Sequence, residues 1–270
     1  MSNVDSNKAI LQANHLVKTY SQNSGRFGFG RTQIRAVDDV SITLKAGSTL
    51  AIVGESGSGK STLARCLLQL QPLDTGEVLF QGQNLAELDA QSLRAMRKNL
   101  QMVFQDPFAS LNPRMHVGEI VGEGLLIHGL GSASEQNDKV YQMLERVGLK
   151  ANDALKYPHQ FSGGQRQRIG IARALVLEPK VVVCDEPVSA LDVSVQAQIL
   201  LLLKQLQQEM NLSYLFISHD LRVVRHIADE MIVMHKGKIV EQGSVVDIYH
   251  SPQQAYTQQL LCAIPGRKSA

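Results

Sequence analysis

AIVGESGSGKSTLARCLL, Ala51 to Leu68, is the stretch whose reading decides the fold. Leu50 to Val53 is an unbroken apolar run, as expected of a strand buried in a parallel sheet. It opens into a loop holding Gly54, Gly57 and Gly59, after which Lys60, Ser61 and Thr62 start a helix with Leu63, Leu67 and Leu68 on its apolar side. Gly54-x-x-x-x-Gly59-Lys60-Ser61 between a strand and a helix is the phosphate-binding loop pattern. Glycine allows the backbone to wrap close to phosphate oxygens in conformations that a Cβ resists. Exposed N–H groups and the helix N-terminus then supply partial positive charge. Lys60 can reach β- and γ-phosphates, and the Ser61 hydroxyl can ligate Mg²⁺. Glu55, Ser56, Ser58 and Thr62 complete the expected nucleotide-binding set. The competing reading, a plain glycine-rich turn, does not account for Lys-Ser following in register.

Composition sets bounds around this motif. The chain has 270 residues, of which 44% are hydrophobic, enough for a sizeable core in one large or two small domains. A net charge of +2, spread without blocks, gives no argument for nucleic acid. Cys66, Cys184 and Cys262 are scattered, so neither a zinc site nor a disulfide framework is indicated, and a reducing intracellular location fits. The polar start, MSNVDSNKAI, reads as a disordered beginning without an apolar signal core. The longest aliphatic run, Ile199 to Leu203, is too short to cross a bilayer, so a membrane role would come through a partner.

Ahead of the glycine loop, Ile10 to Val17 reads as an edge strand and Ala36 to Leu44 as a second strand. Ser21 to Gln33 between them reads as an exposed mobile loop. An antiparallel piece thus precedes a parallel core. Beyond the loop, Glu77 to Phe80 and Leu100 to Phe104 read as strands, with a turn at Gln81 to Asn84 and a helix over Asp89 to Arg97. Helical spacing dominates from Phe108 to about Ala174 and reads as an insertion into the α/β core. Val181 to Val183, Ser213 to Ile217, Glu230 to Met234 and Lys238 to Glu241 are the remaining expected strands. Helices are expected over Val195 to Met210, Leu221 to Ala228, Ser244 to Tyr249 and Ala255 to Ile264. Alternating strands and helices point to an α/β parallel sheet.

Further chemistry sits at strand ends. VVVCDEP places Asp185 and Glu186 at the C-terminal end of an apolar strand, where parallel sheets gather their ligands. Asp185 can hold a Mg²⁺ shell and Glu186 can act as general base on the water attacking a γ-phosphate. Gln105 after LQMVF can bond Mg²⁺ or orient that water, although a lone Gln there is commonly only a loop residue. His219 after YLFIS can donate to a γ-phosphate, although a lone strand-end His is more often structural. In FSGGQ, Ser162 is a good N-cap, and the double glycine Gly163-Gly164 leaves bare backbone at a helix N-terminus.

Taken together, GESGSGKS, Gln105, FSGGQ, VVVCDEP, SALD (Ser189 to Asp192) and His219 resemble the ATP-binding-cassette ATPases over about Leu11 to Gln242. The resemblance implies a P-loop NTPase core over about 10–104 and 176–250, with an antiparallel β-subdomain and an α-helical subdomain inserted over about 105–175. It implies ATP and Mg²⁺ as ligands, and head-to-tail pairing of two cassettes. Ser162, Gly163, Gly164 and Gln165 would then contact ATP bound on the partner, with Asp192 at the dimer interface. Tyr20 stands where the family stacks an aromatic on adenine. Lys60, Gln105, Glu186 and His219 are the catalytic set so implied, and Ser61, Gln105 and Asp185 the Mg²⁺ set. QMVFQDPFASLNPRMHVGEIVGEGL, YPHQFSGGQRQRIGIARAL and DEPVSALDVSVQAQIL are similar to the peptide/nickel importer subfamily. The tail over 251–270, SPQQAYTQQLLCAIP onward, has Gln-Ala-Tyr-Thr where that group often has His-Pro-Tyr-Thr. With only Cys262 there, no iron–sulfur centre is expected.

The function implied is the ATPase subunit of a di- or oligopeptide importer on the cytoplasmic face of a bacterial inner membrane. Its implied partners are a second ATPase subunit in a heterodimer, two permease chains and, indirectly, a solute-binding protein. Nickel, an opine, glutathione or an antimicrobial peptide are alternative cargoes. A soluble cassette in translation or DNA repair lacks support because such chains usually carry two cassettes or long coiled-coil insertions. A regulatory protein with a dead cassette is disfavoured because every expected catalytic residue type is present.

Overall fold

Apolar–polar alternation builds a long antiparallel ladder at the start of the chain. The computed structural model describes residues 8–23 and 31–264. Strand β1 (Ala9–Asn23) pairs with β2 (Arg31–Lys45), and the chain then turns into β3 (Thr49–Val53) and α1 (Lys60–Leu67). Next come β4 (Thr75–Phe80), β5 (Gln83–Asn84), α2 (Ala90–Arg97) and β6 (Leu100–Val103). Helices α3 (Pro107–Ser110), α4 (Val117–Ile127), α5 (Ala133–Arg146) and α6 (Gly163–Leu175) follow, with short 3₁₀ turns between α5 and α6. The chain continues through β7 (Val181–Asp185), α7 (Val193–Met210), β8 (Ser213–Ser218) and α8 (Leu221–Ile227). It closes with β9 (Glu230–His235), β10 (Lys238–Ser244), α9 (Val245–His250) and α10 (Ala255–Cys262).

These elements form two compact units. One runs to Leu88 and resumes at Leu215, and the other is Asp89–Tyr214. The first unit holds an antiparallel sheet in the order β2-β1-β4-β5 and the strands β10-β9-β3-β8. Strands β3 and β9 are parallel, with Leu50 opposite Glu230, while β10 returns antiparallel beside β9. All five residues of β3 are buried. Its Ala51 and Val53 join Val224 of α8, Met231 and Val233 of β9, and Leu261 of α10 in one apolar cluster. The hairpins β4–β5 and β9–β10 turn through Gln81-Gly82 and Lys236-Gly237, with positive φ at all four residues, the geometry that matches strand twist in a two-residue loop.

The second unit pairs β6 and β7 in parallel, Leu100 opposite Val181, and adds helices α2 to α7. Val117, Ile120, Val121 and Leu125 of α4 form a buried stripe, as do Val140, Met143 and Leu144 of α5. Residues 105–175, expected as a helical insertion, fall inside this unit. No helix among the described residues is long and apolar enough to cross a membrane. Burial raises the pKa of the Cys66 thiol to about 11 and pushes that of Cys184 up as well.

Two local expectations are corrected. β1 is not an edge strand, because β2 pairs with one side and β4 with the other. Alternation reports which face is buried, not whether each edge has a neighbour. Ser21 to Gln33 is not a loop at its ends: Ser21 pairs with Gln33 and Asn23 with Arg31, because ladder hydrogen bonds are made by backbone whatever the side-chain polarity. The stretch 24–30, including Phe27 and Phe29, and the expected disordered start at 1–7 lie outside the described residues.

Candidate functional site

In the first unit, β3 delivers the chain to Gly54 at φ 148°, where a Cβ would stand 2.2 Å from the carbonyl oxygen of Met234 on β9. The close approach of two backbones selects glycine here. No side chain caps α1, whose N-cap is Gly59. An uncapped helix start presents N–H groups suited to an anion. Lys60 is only 5% exposed, and its Nζ donates to the carbonyls of Gly54 at 2.7 Å and Glu55 at 2.8 Å. The buried Ser58 Oγ has no hydrogen-bond partner among the described residues, and around a Cβ built at Gly57 there is open space to 4 Å. A buried cation, an orphaned hydroxyl and an open glycine crown fit a polyphosphate.

Tyr20 and His219 belong to the same unit. Tyr20 presents a half-exposed ring, with the Lys18 ammonium 6.0 Å from its centroid and itself paired to Asp74 at 2.9 Å. The Asp74 carboxyl is held below its ordinary pKa by Lys18 and by the Thr19 N–H. His219 is exposed just after β8. The following Asp220 caps α8 and forks the Arg222 guanidinium at 3.1 and 2.7 Å. Arg222 keeps the Asp220 carboxyl below the usual range despite partial burial.

The second unit brings Gln105 and Glu186 together across 81 residues of chain. The Gln105 Nε2 donates to the Glu186 Oε2 at 3.0 Å, which leaves the amide oxygen as that side chain's acceptor. Asp185 ends β7 and is 6% exposed. Glu186 has φ 47°, a left-handed conformation that costs a non-glycine residue about 1–2 kcal/mol. Ser189 holds that turn, its N–H at 3.2 Å and its hydroxyl at 3.1 Å from the Glu186 carbonyl. Asp185 and Gln105 offer carboxylate and amide oxygens in this unit, and Ser61 offers a hydroxyl in the first; each is a hard donor of the kind Mg²⁺ takes.

Ser162 caps α6 in a reciprocal box. Its Oγ accepts from the Gln165 N–H at 3.4 Å, and the Gln165 Oε1 accepts from the Ser162 N–H at 3.0 Å. A Cβ at Gly164 would lie 2.5 Å from a Val195 methyl, and one at Gly163 3.5 Å from Leu191. Asp192 caps α7, accepting from the Val195 N–H at 3.0 Å and the Ser194 hydroxyl at 2.7 Å, bonds that lower its pKa. The SGGQ and SALD segments are therefore packed on each other. Bareness at Gly164 thus has a packing cause, which the sequence reading did not include.

Sequence reasoning missed Tyr256 and His235. The Tyr256 hydroxyl accepts from the Glu55 N–H in the glycine loop at 3.2 Å, and its ring lies 4.0 Å from the His235 ring. The available signal was the Tyr-Thr that survives in the altered tail motif: Tyr256 touches the loop and Thr257 is buried, whereas Gln254 and Ala255 are exposed.

Residues 37–189 match the family model described as ABC transporter. The chain is 51% identical to the oligopeptide transport ATP-binding protein AppF of Bacillus subtilis, over 96% of this chain and 79% of that protein. It is 52% identical to the dipeptide transport ATP-binding protein DppF of Escherichia coli K12, over 95% of this chain and 76% of that protein. Among solved structures it resembles the ATP-binding cassette MJ0796, a dimer in a post-hydrolysis state bound to ADP and Pi. That likeness has a TM-score of 0.76 at 30% identity, covering 87% of this chain and 98% of the other.

Proposed function

Since the chain belongs to the ABC transporter ATP-binding proteins, we propose that it hydrolyses ATP to drive import of di- or oligopeptides. The observation that carries the hydrolytic reading is the Glu186 carboxylate held by Gln105 on a strained turn after a buried strand. The names of the peptide-transport relatives support the cargo class.

In this reading Gly54 to Thr62 cradle the phosphates, and Lys60 leaves the Gly54 and Glu55 carbonyls to meet phosphate oxygens. Tyr20 stacks on adenine. Ser61, Gln105 and Asp185 would hold Mg²⁺, which would neutralise charge on the phosphoryl oxygens when bound. Glu186 takes the proton of the attacking water, with Gln105 fixing the carboxylate's orientation. His219 donates to the γ-phosphate and reports its departure. Ser162, Gly163, Gly164 and Gln165, with Asp192, complete the ATP site of a second cassette. That partner is a different ATPase subunit. Two permease chains anchor the pair at the cytoplasmic face of the bacterial inner membrane, and a solute-binding protein delivers the peptide.

Affinity purification of the chain from detergent-solubilised membranes tests the assembly, with co-purifying chains identified by mass spectrometry. Recovery of two multi-span permeases and a second cassette is expected; ribosomal or DNA-repair factors without a membrane protein would overturn it. Tyr20→Ala is expected to raise the Kd for ATP about tenfold, from the worth of one base–aromatic stack, with little change in saturated turnover. Unchanged affinity in a nucleotide titration would move the stacking role off Tyr20.

A further inference from the structure

The Gly54–Glu55 peptide at the mouth of the glycine loop is gripped at both ends. Its carbonyl accepts from the Lys60 ammonium at 2.7 Å, and its N–H donates to the Tyr256 hydroxyl at 3.2 Å. Tyr256 comes from α10, 201 residues further along the chain. Its ring packs on His235 with centroids 4.0 Å apart and planes at 45°. His235 ends β9, the strand parallel to β3, so the ring is held against the same framework that launches the loop.

The helix carrying Tyr256 has its own attachments. Leu261 is 1% exposed in the cluster with Ala51 and Val53. The backbone N–H groups of Gln253 and Gln254, just before α10, donate to the Glu241 carboxylate at 2.7 and 3.1 Å. The hydroxyl of Tyr256 can therefore be removed without undocking the helix. Its contact with the loop is a separate feature, and none of the hydrolytic chemistry described above uses it.

We propose that Tyr256 is a positioning residue for ATP binding, its hydroxyl setting the plane of the Gly54–Glu55 peptide on which Lys60 rests. The C-terminal helix is then a working part of the nucleotide site. This rests on the reading of the glycine loop as an ATP site. A cradle whose first peptide is already oriented has less conformational freedom to lose when phosphate binds. Loss of the hydroxyl weakens affinity, and turnover at saturating ATP, which depends on Glu186, changes little.

The test uses the purified chain and its Tyr256→Phe, Tyr256→Ala and Lys60→Ala variants. Binding is titrated with methylanthraniloyl-ATP, turnover is followed by phosphate release, and Tm is measured for each. Saturable binding by the parent, lost in Lys60→Ala, establishes the site itself. Its absence in the parent would sink the nucleotide reading and the proposal with it. For Tyr256→Phe, the Kd and the KM for ATP are expected to rise about three- to tenfold, the worth of one hydrogen bond. Saturated kcat should fall less than twofold, with Tm unchanged. Tyr256→Ala, which also loses the ring contact with His235, should add a lower Tm to the same loss of affinity. With the parent binding normally, an unchanged Kd in Tyr256→Phe overturns the proposal. So does a Tm lowered as far as in Tyr256→Ala, because Tyr256 would then be a packing residue alone.

Discussion

Glu186→Gln is expected to lower ATP turnover about 10²–10⁴-fold, the usual worth of a general base, while ATP binding is retained. The hydrogen-bond geometry makes this a clean substitution. Gln105 donates its Nε2 to the Glu186 Oε2 at 3.0 Å, and a glutamine at 186 keeps an oxygen that can accept the same bond. Side-chain size and the left-handed backbone at φ 47° are also unchanged in kind. What is lost is the carboxylate's charge and, with it, its basicity. Steady-state phosphate release is compared with retention of bound nucleotide. Hydrolysis at the parent rate would remove Glu186 from the base role.

Gly54→Ala is expected to abolish ATP binding and to destabilise the fold, and comparison with Gly57→Ala isolates the cause. At Gly54 the added Cβ meets the Met234 carbonyl oxygen at 2.2 Å, in a backbone conformation with φ 148° that L side chains rarely adopt. Strained backbone of this kind costs about 1–3 kcal/mol, and overpacking adds about 1–3 kcal/mol. A Tm fall of about 5 °C or more follows for a chain of this size. At Gly57 φ is 80° with no atom within 4 Å of the Cβ, so only conformational strain remains. That variant should lose about 1 kcal/mol and stay folded. Thermal melts and nucleotide titrations of both check this. Equal Tm values for the two variants would show that the approach to Met234 does not constrain the loop.

Much of this was legible along the chain because it depends on local pattern. The apolar run before Gly54 became the fully buried β3, parallel to β9. VVVCD became the fully buried β7, with Asp185 at its end. Ser162 caps α6 as its residue type suggested. The errors were about neighbours. β1 shows the same alternation whether one or both of its edges are paired, and only the return of β4 decides. Gln22 and Asn23 look like loop residues, yet their backbone groups extend the ladder with β2.

The sequence by itself determined the strand–loop–helix around the three loop glycines, the acidic strand end and the capped SGGQ helix, because each is a short run whose spacing dictates its own conformation. Tertiary structure alone decided which distant groups act on those runs. It joined the Gln105 amide to the Glu186 carboxylate, set Val195 against Gly164, and laid the Tyr256 hydroxyl on the Glu55 N–H. Such contacts depend on how separate elements pack in three dimensions. Residues 81 and 201 positions apart share no local pattern that could announce their meeting.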